Sequence, residues 1–187
     1  MLNGESLVSH LEDGSSLSPT HINAFVDEVH FVFERMLQWE VECTGMRSKA
    51  DWAPSNFVSG IITLQGGYEG KVVLGFTTRL ACRLTETLLR VNVQSVNDDV
   101  ADAICEMTNT VTGRAAPCLS KQCIRVGVPT VMIGRARPID YPRGINPLVI
   151  EFRVEDELVV LEVGLQETAG GGASTPSLQL KSEEVAF

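Results

Sequence analysis

No apolar run in this sequence approaches the ~18 residues that a bilayer-spanning helix needs. The first 17 residues are polar and acidic and lack the apolar core of a secretory signal, so a signal peptide is not expected and a cytoplasmic protein is. Basic residues are scarce: 15 Lys and Arg stand against 24 Asp and Glu, a net charge of −9. Such a chain repels phosphate backbones, and no basic groove surrounds Trp39 or Trp52. The two tryptophans therefore read as packing residues, and nucleic acid is not an expected partner. The five cysteines (Cys43, Cys82, Cys105, Cys118 and Cys123) are odd in number and contain no C-x-x-C pair, which argues against a zinc knuckle or a thioredoxin-like centre. They read as buried or partly buried thiols of a reducing compartment. Gly66, Gly67 and Gly70 lack the spacing, and the lysine followed by Ser or Thr, of a phosphate-binding loop. His10, His21 and His30 all fall at or near the first expected helix and define no site.

What is present is the composition of an ordinary soluble domain. The chain has 187 residues, 44% hydrophobic and 21% charged, enough for one core without disulfides or metals. The expected organisation is a flexible lead-in over 1–17, a folded domain over 18–166, and a disordered tail over 167–187, where Gly170, Gly171 and Gly172 sit among small polar residues.

Ser18 before Pro19 is a helix start, and Ile22, Phe25, Val26, Val29, Phe33, Met36 and Leu37 keep the helical period to about Trp39. Residues 41–50 suit a short edge strand. The runs 57–64 and 71–76 flank a glycine-rich turn and predict a hairpin. Thr77 or Thr78 then caps a helix through Leu89. A further helix is expected from Asn97 or Asp98 to Ala116, stopped by Pro117. Strands follow on either side of Pro129, and a hairpin joins 148–154 to 158–163. This order gives an α+β domain with helices packed on an antiparallel sheet.

The segment 98–116 carries the most information. Asp102, Glu106, Asn109 and Gly113 are spaced 4, 3 and 4 apart and share one stripe of a helix. Val100, Ile104, Met107 and Val111 repeat that spacing two residues earlier, about 200° round the axis. One face is thus apolar and the opposite face presents two carboxylates, a carboxamide and a glycine. A solvated face alone would give a polar stripe. Asn and Gly, however, are poor mid-helix residues, and two of them on one exposed stripe suit a surface that a partner approaches closely.

This helix resembles the signature helix of the CheC/CheX/FliY family of chemotaxis phosphatases: Glu106-x-x-Asn109, preceded by Asp102 and followed by Gly113. The hairpin from Ser59 to Gly66 and from Gly70 to Phe76, and the strand from Val128 to Gly134, are similar to that family's as well. The likeness covers about residues 18–165, and a single signature helix resembles the CheX type. The resemblance implies a CheC/CheX-like fold and hydrolysis of the aspartyl phosphate of a CheY-like response-regulator receiver domain. It implies that Asn109 orients the attacking water and that Glu106 pairs with a lysine of the receiver. Asp102, Glu106 and Gly113 would meet the partner. Mg²⁺ would sit in the receiver, with no metal or cofactor of the chain's own. It further implies a homodimer, for which the strands at 122–133 and 148–163 offer edges. The alternatives are a non-catalytic adaptor for receiver domains and a component of the flagellar switch.

Overall fold

A seven-stranded antiparallel sheet forms one layer, in the order β1-β6-β7-β3-β2, with β4 and β5 both paired to the far side of β2. In the computed structural model the described residues are 17–49, 57–119, 123–134 and 139–168. The strands are β1 (Glu42–Ser48), β2 (Phe57–Gly66), β3 (Tyr68–Thr77), β4 (Ile124–Val126), β5 (Thr130–Gly134), β6 (Leu148–Val154) and β7 (Glu157–Glu167). The helices are α1 (Pro19–Val32), α2 (Thr78–Leu89) and α3 (Asp98–Leu119). The α+β architecture is the one expected from the order of elements.

Register explains why one face of the sheet is dry. The row Met46, Ile150, Leu161, Leu74, Gly60, Val131 runs across six strands. Its apolar members pack with the helices into one core. Side chains alternate faces along a strand, so the neighbouring row Arg47, Val149, Glu162, Val73, Ile61, Thr130 points the other way. That second face holds a buried carboxylate, Glu162, which pairs with Lys49 Nζ and accepts from the Tyr141 hydroxyl at 2.5 Å. Burial and the Glu162 charge push the Tyr141 phenol far above its ordinary range.

Several expectations are refined. Ser18 caps α1 as foreseen, but its partner in the capping box is His21: the Ser18 side chain accepts from His21 N at 3.3 Å, and His21 Nδ1 accepts from Ser18 N at 3.4 Å. The α-helix does not continue to Trp39. It gives way to a π-helical turn, Phe33–Leu37, ended by Gln38 at φ 57°. The wide turn buries both Phe33 and Leu37 while Met36, expected on the apolar stripe, is exposed. Trp39 does pack, lying 6.5 Å from Phe33 and beneath the Arg83 guanidinium. Trp52 lies outside the described residues.

Pro117 does not stop α3, which runs on to Leu119. A proline in the last turn forfeits only one backbone bond, and the buried Leu119 holds that turn against the core. Nor does the hairpin 148–163 offer an edge: β6 is covered by β1, and β7 lies between β6 and β3. The edges are β1 and the β4–β5 segment. There Leu64 pairs with Val126 and Ile61 with Thr130, so β4–β5 carries one extra residue, a bulge around Pro129. Cys118 and Cys123 are exposed rather than buried, whereas Cys43, Cys82 and Cys105 are half-buried. Leu17, at the end of the expected lead-in, is buried, and β7 extends to Glu167; residues 1–16 and 169–187 lie outside the described set.

Candidate functional site

The central helix is placed by its cap and by one glycine beneath it. Asn97 Oδ1 accepts from Val100 N at 3.1 Å, which starts α3, and Asp98 and Asp99 in the first turn complement the helix dipole. Val100, Ile104, Met107 and Val111 are all buried, so the apolar stripe faces the sheet. The closest approach is at Gly60 of β2. A Cβ there would lie 2.0 Å from Thr108 Oγ1 and 3.1 Å from the Ile104 carbonyl, so only glycine lets the helix backbone settle at this depth. Thr108 turns its hydroxyl back to Ile104 O at 2.7 Å and is thereby satisfied although fully buried. Sequence reading missed the Gly60–Thr108 seat. The available signal was a glycine inside an otherwise β-branched strand.

With the apolar face down, the polar stripe points outward. Asp102, Glu106, Asn109 and Gly113 are all exposed. Glu106 and Asn109 stand three residues apart, about 4.5 Å along the axis. The Asn109 carboxamide bonds to no described residue, and among the described residues the only hydrogen bond to the Glu106 carboxylate is a long one of 3.4 Å from Thr110 Oγ1. Both are free to engage another molecule. A Cβ at position 113 would meet nothing within 4 Å among the described residues, and the backbone there is helical, so their packing does not demand glycine. The half-buried Cys105 lies beside the stripe; burial, with the Asp102 charge, pushes its thiol pKa up, away from nucleophilic thiolate. Among the described residues no group of three or more His, Cys, Asp or Glu is gathered as a metal-ligand set. No described helix is long and apolar enough to cross a membrane.

A sheet of this order under three helices, with a helix presenting an acid and an amide one turn apart, defines a protein of the CheC-like class. Solved structures of that class match over nearly their whole length. A CheC-like superfamily protein from Shewanella sp. PV-4 is 22% identical, with a TM-score of 0.71 over 80% of this chain and 99% of its own. The chemotaxis protein CheX from Vibrio vulnificus is 23% identical, with a TM-score of 0.69 over 78% and 99%. The CheX of a CheX–CheY–BeF3–Mg²⁺ complex from Borrelia burgdorferi is 20% identical, with a TM-score of 0.65 over 79% and 98%. The model of the family described as chemotaxis phosphatase CheX matches residues 58–153, and the chain belongs to that family. Among curated proteins none matches.

Proposed function

We propose that this chain hydrolyses the aspartyl phosphate of a CheY-like response-regulator receiver domain, using α3 to complete a site that lies on the receiver. The observation that carries the proposal is the exposed Glu106–Asn109 pair, one turn apart and free of strong internal partners, on the helix of a chemotaxis phosphatase family member. The Borrelia relative, solved with CheY, beryllofluoride and magnesium, supports the choice of partner.

Phosphoryl transfer to water passes through a loose transition state, so positioning and electrostatics supply most of the catalysis. A carboxamide is no base near neutral pH. It accepts one hydrogen bond from water at Oδ1 and donates through Nδ2, so Asn109 can hold a water in line with phosphorus. Glu106 pairs with a receiver lysine and sets the angle at which Asn109 enters. Asp102 extends the acidic contact, and Gly113 allows the receiver backbone to approach closely. The divalent ion belongs to the receiver, where it neutralises phosphoryl oxygens.

The test adds catalytic amounts of the chain to an excess of phosphorylated CheY-like receiver. Turnover of many receivers per chain above their own decay is expected. Tight binding without acceleration would instead make the chain an adaptor.

A further inference from the structure

The acidic stripe has a basic and aromatic neighbour. Glu106, Thr110 and Arg114 form a row at i, i+4 and i+8, and such a row winds round a helix. Here it winds toward α1, which packs along α3. At its end Arg114 Nε donates to Glu28 Oε2 of α1 at 2.5 Å, and the guanidinium lies 4.0 Å from the centroid of the Phe31 ring. Arg35 approaches the same ring to 5.7 Å. The Phe31 residue is 40% exposed and the Arg114 side chain 43%. Glu28 takes only the Nε–H; the two Nη groups of Arg114 have no acceptor among the described residues.

We infer that Phe31 and Arg114 form a second contact for the phosphorylated receiver, gripping a carboxylate on the receiver surface beside its phosphorylation pocket. The inference rests on the proposed function and names what else holds the same partner. The pair lies on the flank of α3 beside the stripe: each step of the row Glu106, Thr110, Arg114 turns about 40° toward α1, which puts Arg114 about 80° round from Glu106 and about 12 Å along the axis. Charge complementarity argues for it. The only charges on the stripe are the carboxylates of Asp102 and Glu106, in a chain of net charge −9, and a phosphoryl-bearing pocket is itself anionic. A guanidinium at the rim supplies the missing cation and can meet a carboxylate with both Nη groups. The geometry is also built in advance. Glu28 and the Phe31 ring hold the guanidinium, so little side-chain freedom is left to lose on docking. Arginine and aromatic residues are those that most often carry interface energy.

The experiment titrates the full chain with a CheY-like receiver carrying Mg²⁺ and beryllofluoride, then measures hydrolysis of the phosphorylated receiver at saturation. Arg114→Ala and Phe31→Ala are each expected to weaken binding about tenfold or more while the saturating rate stays within about twofold. Arg114→Lys keeps the charge and protects the fold should Ala not, and is expected to weaken binding about threefold by losing the planar fork. Asn109→Ala, which lowers the rate on the proposed mechanism, is the contrasting control. Unchanged binding in the Arg114 and Phe31 variants, or a loss confined to the saturating rate, overturns the second contact and leaves the proposed function standing. Weakened binding by a chain that does not hydrolyse keeps the contact and removes the phosphatase. A wild-type chain that neither binds nor hydrolyses overturns both.

Discussion

Placing a methyl group at Gly60 tests how the sheet controls the site. Gly60→Ala sets a Cβ 2.0 Å from Thr108 Oγ1 and 2.9 Å from Thr108 Cβ, about 1.4 Å short of ordinary contact at the hydroxyl. Thr108 cannot swing away, because it is fully buried and its hydroxyl is committed to Ile104 O. The helix backbone must therefore lift from β2 or the strand must bend. Overpacking of this kind costs about 1–3 kcal/mol. For a chain of this size that lowers the melting temperature by about 2–12 °C. The second consequence is catalytic: Asn109 adjoins Thr108, so a displacement of about 1 Å in α3 is enough to cost on the order of 10²-fold in rate. Thermal unfolding by circular dichroism and the receiver dephosphorylation rate read the two effects separately. Thr108→Ala in the Gly60→Ala background removes the tightest contact and should recover part of both. A Gly60→Ala variant with wild-type melting temperature and wild-type rate would refute the claim that this glycine seats the helix.

Glu106→Ala should raise the half-saturating receiver concentration more than it lowers the saturating rate, since the residue is assigned to docking; an unchanged concentration dependence in steady-state kinetics would contradict that role. Thr112 has a buried hydroxyl with no hydrogen-bond partner among the described residues. Thr112→Val is therefore expected to stabilise the fold by about 1 kcal/mol, measured by urea unfolding, and destabilisation would show that the hydroxyl is satisfied. Tyr141→Phe leaves one oxygen of the buried Glu162 without its donor and should destabilise by about 1–3 kcal/mol near neutral pH. The pH dependence has a definite sign. The Tyr141 phenol is raised in the folded state, so its contribution is complete below the ordinary tyrosine value of 10.0 and declines as pH rises above it. Wild type should thus lose stability more steeply than Tyr141→Phe in that alkaline range; parallel curves would mean that Tyr141 ionises freely.

The elements that could be read from sequence were those fixed by local rules. Ser18-Pro19, Thr77 and Asn97 announce their helices through side-chain chemistry within three residues. The stripes of α3 follow from the helical period alone, which also placed Asp102, Glu106, Asn109 and Gly113 on the exposed side. What escaped depends on neighbours distant in sequence. The π-helical turn at Phe33–Leu37 buries Phe33, which stacks 6.2 Å from Phe76 on β3, and helical periodicity cannot show a wide turn that lets two residues four apart both reach the core. Pro117 stays helical because Leu119 is buried. Glu162 reads as a solvent residue of an alternating strand, yet Lys49 and Tyr141 bury it. The interior position of β6 is set by its pairing to β1, about a hundred residues earlier. The contact between Arg114 and Phe31 likewise joins two helices that no local pattern brings together.

The most direct measurement is the saturating rate at which Asn109→Ala dephosphorylates a CheY-like receiver. Asn109 is exposed and bonded to no described residue, so its truncation should leave thermal unfolding unchanged. The rate should fall on the order of 10²-fold or more, as expected when a group that orients the attacking water is lost. A variant that turns over at the wild-type rate would contradict the account at its centre.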